Sequence, residues 1–334
     1  MGSKAVRQIR GLFPRIRQWR HDSQMDARDH WFNEMDAAEL PKISIVTPSY
    51  NQARFLETCI QSVLSQGYPR LEYIILDGGS SDDSVDIIKK HEADITFWRS
   101  RLDKGQSDAI NEGFERSTGD LVAWLNADDF YLPGAFAMAG RTFSSRPEAS
   151  FYFGNGWRVD ETGNFKSPFF KKNHIYFNRN GLIYGLNYIL QPSSFINRRV
   201  LFQVGLLDTG LRYGMDTDLW IRLSNLASPQ PISGFLSASR EYDDTKTAKG
   251  SFERVEELRQ IASKYSGAPM TPGVLCYFLD TLYQSVGERE EIFDRNFQKS
   301  LRMFWAETAR LLSKFGCSPE GFPVSGDPEK FRSK

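Results

Sequence analysis

One pair of carboxylates in this chain has the residue type and the position to hold a divalent metal ion. Asp128 and Asp129 follow the apolar run Leu121–Leu125, so both side chains are expected at the rim of a sheet and not in its core. Carboxylate oxygens bind hard cations, which keep several waters and reach phosphate oxygens through their remaining positions. Asp is also a frequent turn former. Taken alone, the pair leaves a metal site and an ordinary turn both open.

The segment that must position this pair alternates short β-rich runs with helical segments. The predicted strands are Ile43–Thr47, ended by Pro48, then Tyr73–Leu76, Asp94–Trp98 and Leu121–Leu125. Two predicted helices are Arg54–Gln66 and Gln106–Arg116. Between them, a third predicted helix is capped by residues 81–83 and runs to Lys90. This alternation predicts an α/β fold with a mostly parallel, doubly wound sheet. Ligands of such sheets bind beyond the carboxyl ends of the strands, where polar residues lie at Thr47–Asn51, Asp77–Ser80 and Asn126–Asp129.

The rest of the chain divides into an irregular part and a helical part. Residues 151–240 show aromatic-rich strands and a predicted helix over Asp218–Leu226. Beyond Thr247, apolar spacing near 3.6 residues predicts helices over Phe252–Tyr265, Val274–Val286 and Glu291–Phe315. We therefore expect a basic and mixed segment (1–40), an α/β domain (41–245, with parts 41–132 and 133–245), a helical region (246–318) and a tail (319–334).

Composition excludes several classes of protein. The 334 residues balance 42 Lys and Arg against 42 Asp and Glu, so nucleic acid is not expected as a partner. Three distant cysteines argue for a reducing, cytoplasmic compartment and against a disulfide framework or a thiolate metal site (Cys59, Cys276 and Cys317). No stretch approaches the roughly 18 apolar residues that a membrane-spanning helix needs, and no signal-peptide core is visible.

The first twenty residues have a composition of their own. They carry six basic residues and no acidic one, with apolar residues at helix-like spacing (Val6, Ile9, Phe13, Ile16 and Trp19). Such a segment suits an interfacial helix on anionic lipid, which would place the protein peripherally on the inner face of the cell membrane. Pro14 would break that helix, so a frayed basic terminus is the alternative.

Longer motifs make a family resemblance specific. The segment Lys42–Leu132 contains ISIVTPSYN, ILDGGSSDDS, DKGQSDAINEGF and LVAWLNADDFYLP. The segment Gln191–Leu223 reads QPSSFINRRVLFQVGLLDTGLRYGMDTDLWIRL. Both resemble family 2 glycosyltransferases, in the order that the family shows. The resemblance implies a GT-A, Rossmann-like fold, here with a helical C-terminal extension, and inverting transfer of a sugar from a nucleotide diphosphate-sugar.

The same resemblance implies roles for residues of the donor half. Thr47, Pro48, Ser49 and Tyr50 would form the first loop around the nucleoside, with Asn51 and Arg54 approaching it. Asp77 would accept a hydrogen bond from the base, typically uracil. The segment near the ribose and sugar would contain Lys104, Gly105, Asp108 and Asn111. Asn126-Ala127-Asp128 stands at the D-x-D motif, so Asp128 would bind Mn²⁺ or Mg²⁺ and Asp129 would support it or contact the sugar.

Two positions depart from the family pattern. Asn126 replaces the first Asp of D-x-D and offers a carbonyl oxygen and an amide donor but no charge, so metal affinity should depend more heavily on Asp128. Tyr242 stands where the family often has a His that contacts the metal or the diphosphate, which leaves one ligand fewer or recruits a neighbouring Asp. Lys246 and Arg240 stay candidates for the diphosphate, against the alternative of a solvated charged loop.

The acceptor half contains the residue that matches the family's general base. Asp216 takes that position in Met215–Trp220. A carboxylate there removes the proton of the acceptor hydroxyl as it attacks the anomeric carbon from the face opposite the nucleotide, which is typically worth about 10²–10⁴-fold in rate. The alternative is that Asp216 or Asp218 caps the following helix, and both roles can coexist, with Asp218 as the cap.

Other enzyme classes lack their motifs here. Thr47–Asn51 contains no glycine, which argues against a nicotinamide dehydrogenase, and no phosphate-binding G-x-x-x-x-G-K-[ST] loop is present. The expectation is a metal-dependent transferase that uses a UDP-sugar by preference and a glycan or glycolipid acceptor, in bacterial surface-polysaccharide or lipid-linked glycan synthesis. A catalytically degenerate sugar-nucleotide-binding or scaffold protein is the alternative, and the oligomeric state stays open.

Overall fold

A computed structural model describes residues 39–170, 176–185, 187–246 and 250–287. The predicted interfacial helix within residues 1–20, the predicted helix Glu291–Phe315 and the tail therefore lie outside the described residues. No helix in the described ranges is long and apolar enough to cross a membrane.

In the part of the chain that the structure describes, the strands form one nine-stranded sheet. They are β1 (Ile43–Ser49), β2 (Leu71–Asp77), β3 (Phe97–Ser100), β4 (Leu121–Trp124), β5 (Phe130–Tyr131), β6 (Phe151–Val159), β7 (Phe165–Pro168), β8 (Ser194–Asn197) and β9 (Gln230–Arg240). Their order is β3-β2-β1-β4-β8-β6-β9-β5, with β7 paired to β6. The first four strands are parallel, as predicted, whereas β8 joins β4 and β6 in antiparallel fashion.

Helices cover both faces of the sheet. They are α1 (Ala53–Leu64), α2 (Ser84–Lys90), α3 (Gln106–Arg116), α4 (Ala135–Ser145), α5 (Arg179–Tyr184), α6 (Arg198–Val204), α7 (Met215–Leu226), α8 (Ser251–Ser266) and α9 (Pro272–Gly287). One core lies between the sheet and helices α1, α2 and α4. The other core lies against α3, α5, α6 and α7, where Trp124 stacks on Trp220 at 5.7 Å between ring centroids.

Alternation along the buried strands assigns each residue to one of the two cores. In β4, Leu121 and Ala123 contribute to the first core, and Val122 and Trp124 to the second. Because successive side chains point to opposite faces, strands buried on both sides are apolar throughout. The fold is therefore the predicted α/β type, with the sheet between two layers of helices.

The prediction that Pro48 ends β1 is wrong. β1 continues to Ser49, and Pro48 lies opposite Leu76 of β2 in the parallel register. On its other side, β1 pairs with β4 only as far as Val46. Pro48 therefore faces no strand on that side, so a residue without an N–H group is tolerated there.

Gly113 generates a stability prediction, because α3 crosses β1 in direct contact at this residue. A Cβ at Gly113 would lie 2.3 Å from Cγ1 of Val46, a stiff β-branched side chain in a buried strand. Helix propensity favours Ala by up to about 1 kcal/mol, but overpacking typically costs about 1–3 kcal/mol. We expect Gly113→Ala to lower the free energy of unfolding by about 1–2 kcal/mol in urea titration.

Val46→Ala provides the control for this clash. That change removes the opposing methyl groups, so the double variant should lose clearly less stability than the sum of the two single losses. Additive losses would show that the two residues do not clash.

Candidate active site

The carboxyl ends of β1, β2 and β4 meet at one edge of the sheet, as the strand pattern predicts. Ser49 lies opposite Asp77 in the β1–β2 register, and Val46 lies opposite Trp124, two residues before Asn126. The segments Thr47–Asn51, Asp77–Ser80 and Asn126–Asp129 therefore line one edge.

Asp77 does not present a free carboxylate to a ligand. The residue is fully buried, and its Oδ2 accepts hydrogen bonds from the backbone of Gly79 (3.1 Å) and Ser80 (2.9 Å) and from the Ser100 hydroxyl (2.6 Å). Its Oδ1 accepts the Ser80 hydroxyl at 2.5 Å. The expectation that Asp77 reads the base does not agree with this geometry, because both oxygens are used to close the loop after β2.

A second carboxylate, which the sequence reasoning did not single out, lies beside that loop. Oδ2 of Asp103 is 3.1 Å from the point where a Cβ of Gly78 would stand, and the Tyr50 ring is 3.4 Å from the same point. The Tyr50 side chain is 61% exposed. Oδ1 of Asp103 accepts the backbone N–H of Gly105 (2.9 Å), and Arg99 lies 3.5 Å from Oδ2. A Cβ at residue 78 would crowd both groups, so the glycine lets the Asp103 carboxylate and the Tyr50 ring lie close to the loop after β2.

Two other predicted donor residues point away from the rim. The Thr47 hydroxyl is buried and lies 3.1 Å from the Tyr73 hydroxyl, inside the first core. Asn111 uses both ends of its amide on the backbone of Leu207, at 2.8 and 3.0 Å. Both expectations of ligand contact are therefore corrected: alternation along β1 turns Thr47 inward, and Asn111 holds the chain before α7.

The remaining predicted donor residues stay at the rim. Ser49 is buried and, within the described residues, its hydroxyl has no hydrogen-bond partner. Lys104 and Gly105 are exposed at the start of α3, where Oδ2 of Asp108 accepts the backbone N–H of Lys104 at 3.1 Å.

A chain of amide side chains crosses the site at Asn126. Its Oδ1 accepts Nε2 of Gln106 (2.7 Å), and its Nδ2 donates to Oε1 of Gln191 (3.3 Å). Gln191 in turn donates to the Trp124 carbonyl at 2.8 Å. At the other end, the Lys246 ammonium donates to Oε1 of Gln106 at 2.9 Å. Asn126 thus serves in a neutral hydrogen-bond chain that connects the end of β4 to a cation from the segment after β9.

Asp128 and Asp129 have different environments. Oδ2 of Asp128 accepts the Tyr242 hydroxyl at 2.9 Å, and burial raises the pKa of this carboxyl. Asp129 is almost fully buried and accepts the backbone N–H of Arg240 at 2.9 Å; burial and the neighbouring Asp128 raise its pKa well above the usual range. Asp129 therefore supports the site, and Asp128 is the carboxylate nearer the open edge.

Arg240 helps to hold the segment that carries Asp128 and Asp129. Its guanidinium donates to the backbone carbonyls of Asp128 (2.7 Å) and Glu161 (3.2 Å) and lies 4.8 Å from the Phe55 ring centroid. Because these contacts bury it, the expectation that Arg240 binds diphosphate is corrected in favour of Lys246, which is exposed.

The donor atoms fit a weakly held cation only. Among the described residues, no three His, Cys, Asp or Glu side chains cluster around a common point. The oxygen of Asn126 and one oxygen of Asp128 already accept hydrogen bonds. Mg²⁺ and Mn²⁺ are commonly held by one or two carboxylates together with substrate phosphates, so Asp128 fits such an ion when a diphosphate completes its shell.

Asp216 lies in the first turn of α7. Its Oδ2 accepts Nδ2 of Asn187 (3.0 Å), and its Oδ1 accepts the backbone N–H and hydroxyl of Thr217 (2.7 and 3.3 Å). Burial raises the pKa of Asp216, which these hydrogen bonds and the charge of Arg254 oppose. A carboxylate with a raised pKa is a stronger base than a solvated one.

Asp218 is a structural residue. It does not cap α7, because its oxygens accept Arg222 Nε (2.7 Å), Lys264 Nζ (2.9 Å) and the Tyr265 hydroxyl (2.6 Å). These hydrogen bonds hold the pKa of Asp218 below its usual value despite burial. The cap expected at Asp218 is replaced by an anchor between α7 and α8.

Comparison with known proteins agrees with this geometry. A family model described as glycosyl transferase family 2 matches residues 44–206. An uncharacterized glycosyltransferase of Mycobacterium tuberculosis is 29% identical over 208 residues, 61% of this chain and 76% of that protein. O-antigen biosynthesis protein RfbC of Myxococcus xanthus is 30% identical over 193 residues, 56% of this chain and 15% of that protein.

Solved structures share the fold. TarS 1–349 of S. aureus in complex with UDP-GlcNAc superposes with a TM-score of 0.57 at 15% identity, over 82% of this chain and 81% of that chain. The mannosyltransferase PcManGT of Pyrobaculum calidifontis, in complex with GDP-Man and Mn²⁺, gives a TM-score of 0.56 at 14% identity, over 96% and 97% of the two chains. The fold is thus of the GT-A type. Residues 44–206 match glycosyltransferase family 2, and the chain is a glycosyltransferase, which confirms the resemblance seen in its motifs.

Asp218 gives a pH-dependent stability prediction. Because its pKa is lowered on folding, the ionised side chain stabilises the protein above the unfolded pKa, and this contribution is lost as pH falls through the folded pKa. We expect Asp218→Asn to reduce the free energy of unfolding by about 1–3 kcal/mol at pH 7, since it weakens three hydrogen bonds to a buried carboxylate. The deficit should shrink below about pH 4 in urea titrations.

The exposed Asp94 offers the control for the loss of one negative charge. Asp94→Asn should change the stability by less than about 0.5 kcal/mol. A deficit of Asp218→Asn that stays constant down to pH 2 would contradict the ion-pair role.

Proposed function

We propose that this chain transfers one sugar, with inversion, from a nucleotide diphosphate-sugar, UDP-linked by preference, to a hydroxyl acceptor. The observation that carries the proposal is the chain Lys246–Gln106–Asn126 at the edge of the sheet. It places a cation and the carboxylate motif side by side, and the charge of Asp216 acts on the same Lys246 ammonium. A donor-side carboxylate, a cation for the diphosphate and an acceptor-side base thus border one site.

Asp216 acts as the general base in this proposal. Its oxygens are oriented by Asn187 and Thr217. As the acceptor hydroxyl attacks the anomeric carbon, its proton passes to the Asp216 carboxylate, and the bond from the anomeric carbon to the diphosphate oxygen breaks. Attack from the face opposite the leaving nucleotide inverts the anomeric configuration.

Lys246 stabilises the leaving diphosphate. It is an exposed cation that Gln106 orients, and a positioned ammonium is worth most where charge develops in the transition state. Asp128 would hold Mg²⁺ or Mn²⁺, which supplies charge neutralisation on the diphosphate when bound. Support for metal use comes from the carboxylate pair alone, since the amide of Asn126 is occupied within the chain described above.

Asp103 reads the base in this proposal, in place of Asp77. The uracil imide N–H needs an acceptor, and Oδ2 of Asp103 is a carboxylate oxygen that lies beside Gly78 and the Tyr50 ring. The Tyr50 ring is exposed and offers a face for stacking. Pro48 and Ser49 shape the floor at the end of β1.

The acceptor is a glycan or a glycolipid in bacterial surface-polysaccharide synthesis. Support comes from the relative named as an O-antigen biosynthesis protein. A cytoplasmic location, peripheral at the inner face of the membrane, suits such an acceptor and the basic residues 1–20.

The base role of Asp216 predicts a separation of binding from turnover. Asp216→Asn keeps the shape of the side chain but cannot take a proton, so kcat should fall about 10²–10⁴-fold. Donor binding, measured as thermal stabilisation across UDP-, GDP- and dTDP-sugars with Mg²⁺ or Mn²⁺, should stay near the wild-type value.

Two outcomes would contradict the proposal. If no nucleotide sugar stabilises the wild-type protein with either metal present, the transferase role fails. If the wild-type protein binds a donor yet transfers no sugar to any glycan or glycolipid offered, the chain is the degenerate binding protein instead.

Base recognition predicts a change of nucleotide preference. In Asp103→Asn, the amide oxygen can still accept the hydrogen bond from the Gly105 backbone N–H. The side-chain NH₂ group then replaces Oδ2 and faces the base as a donor. Two facing donors should weaken UMP binding about 10–100-fold, a loss of about 1.4–2.8 kcal/mol, while CMP, which presents an acceptor at the same ring position, should lose less. Calorimetric titration of both nucleotides measures this ratio.

Asp77→Asn is the matched control for this preference. It should lower the free energy of unfolding, because both oxygens of the buried Asp77 carboxylate accept hydrogen bonds that the amide cannot all keep. It should leave the ratio of UMP to CMP affinity unchanged. The reverse result, with the ratio moved by Asp77→Asn alone, would return base recognition to Asp77.

A further inference from the structure

The N-terminus of α7, which carries Asp216, is held by a residue of a later helix. The N-cap residue Gly214 offers no side chain for capping. Instead, the carboxylate of Glu257 on α8 accepts the backbone N–H groups of Tyr213 and Gly214 on Oε1, at 2.6 Å each, and that of Arg212 on Oε2, at 2.7 Å. One carboxylate thus fixes three successive peptide units immediately before the helix.

Side chains of α8 also pack tightly against the start of α7. A Cβ at Gly214 would lie 2.5 Å from Cδ1 of Ile261 and 3.0 Å from Cδ2 of Leu258. Both residues are buried and lie one turn apart on α8. The start of α7 therefore rests directly on α8, and a displacement of α8 would be transmitted to Asp216.

A second anchor lies one half-turn beyond Asp216. Asp218 accepts hydrogen bonds from Lys264 (2.9 Å) and Tyr265 (2.6 Å), both of α8. Asp216 is thus flanked in sequence by two contacts to the same helix. Glu257 and Lys264 are seven residues apart, which places them on one face of α8.

The charged and titratable groups around Asp216 come from three segments. Arg254 of α8 and Lys246 lower the cost of its negative charge, and the phenol of Tyr277, on α9, also interacts with it. Asn187 connects two of these groups, because its side chain donates to Asp216 and its backbone N–H donates to the Tyr277 hydroxyl. Helices α8 and α9 therefore complete the surroundings of the base.

We propose that Glu257 is a positioning residue for Asp216: it fixes Arg212–Gly214 and thereby sets where the base meets the acceptor hydroxyl. The inference rests on the proposed function, in which Asp216 is the base. It extends the catalytic apparatus to residues 250–287, outside the segment 44–206 that the family model matches.

The test compares Glu257→Gln with Glu256→Gln in the full chain. The second variant removes the same charge from the same helix at an exposed residue that pairs with Arg259. Glu257→Gln should lower kcat about 10–100-fold, because small displacements of reacting groups have effects of this size. The donor KM should stay within about threefold, since the hydrogen bonds of Glu257 go to the backbone of residues 212–214 and its charge acts on Lys246 only from a distance.

Two further readouts separate positioning from general damage. Hydrogen exchange of the amides 212–216 should become faster in Glu257→Gln and not in Glu256→Gln, with residues 43–49 unchanged in both. The acid limb of the kcat profile should move to lower pH, because added water lowers the raised pKa of Asp216. Glu257→Asp, which keeps the charge but is one methylene shorter, should show the same changes to a smaller extent, and it serves if Glu257→Gln does not fold.

Wild-type kcat in Glu257→Gln, or an equal loss in Glu256→Gln, would overturn the inference and leave the proposed function intact. Absence of transfer by the wild-type protein would instead contradict the proposed function, and the positioning role with it. The two failures are therefore distinguishable.

Discussion

The burial of two adjacent carboxylates is the constraint around which the site is arranged. Asp128 and Asp129 repel each other in a place with little water, so neither ionises readily without nearby positive charge or hydrogen-bond donors. The protein supplies Arg240 from β9 and Arg54 from α1. Arg54 lies 4.4 Å from the Phe55 ring centroid and 4.8 Å from that of Tyr242, which itself donates to Asp128.

This compensation connects distant parts of the chain. The segment after β9 contributes Tyr242 to the carboxylates and Lys246 to the amide chain through Gln106. The donor half cannot therefore be understood from β1–β4 alone, although those strands carry its motif. A bound divalent cation would add further positive charge beside Asp128.

The sequence predicted the parallel half of the sheet and its helices well, because apolar periodicity and the polar strand ends report local structure directly. Its motifs singled out Asp128 and Asp216 as candidate site residues. It could not show that Asp77 is saturated, since the partners Ser80 and Ser100 lie on different strand ends, nor that Asn111 holds Leu207. Such pairings depend on tertiary contacts that residue spacing does not encode.

Residues missed by the sequence reasoning share a common property. Gln106, Gln191, Asn187 and Glu257 are polar residues whose role depends on partners far away in the chain. Gln191 stands at the start of a segment that resembles the family, so the sequence could have indicated a role for it. The sequence gives no such indication for Glu257, because one acidic residue in the charged helix α8 cannot be distinguished from its exposed neighbours until the position of the helix is known.

The saturated loop around Asp77 has a consequence for how a nucleotide is received. Four hydrogen bonds already hold the turn after β2, so its conformational entropy is lost when the chain folds and not when a ligand arrives. A preformed rim of this kind leaves more of the contact energy available as affinity. The donor edge thus behaves as a rigid template, and ordering on binding is left to the substrate itself.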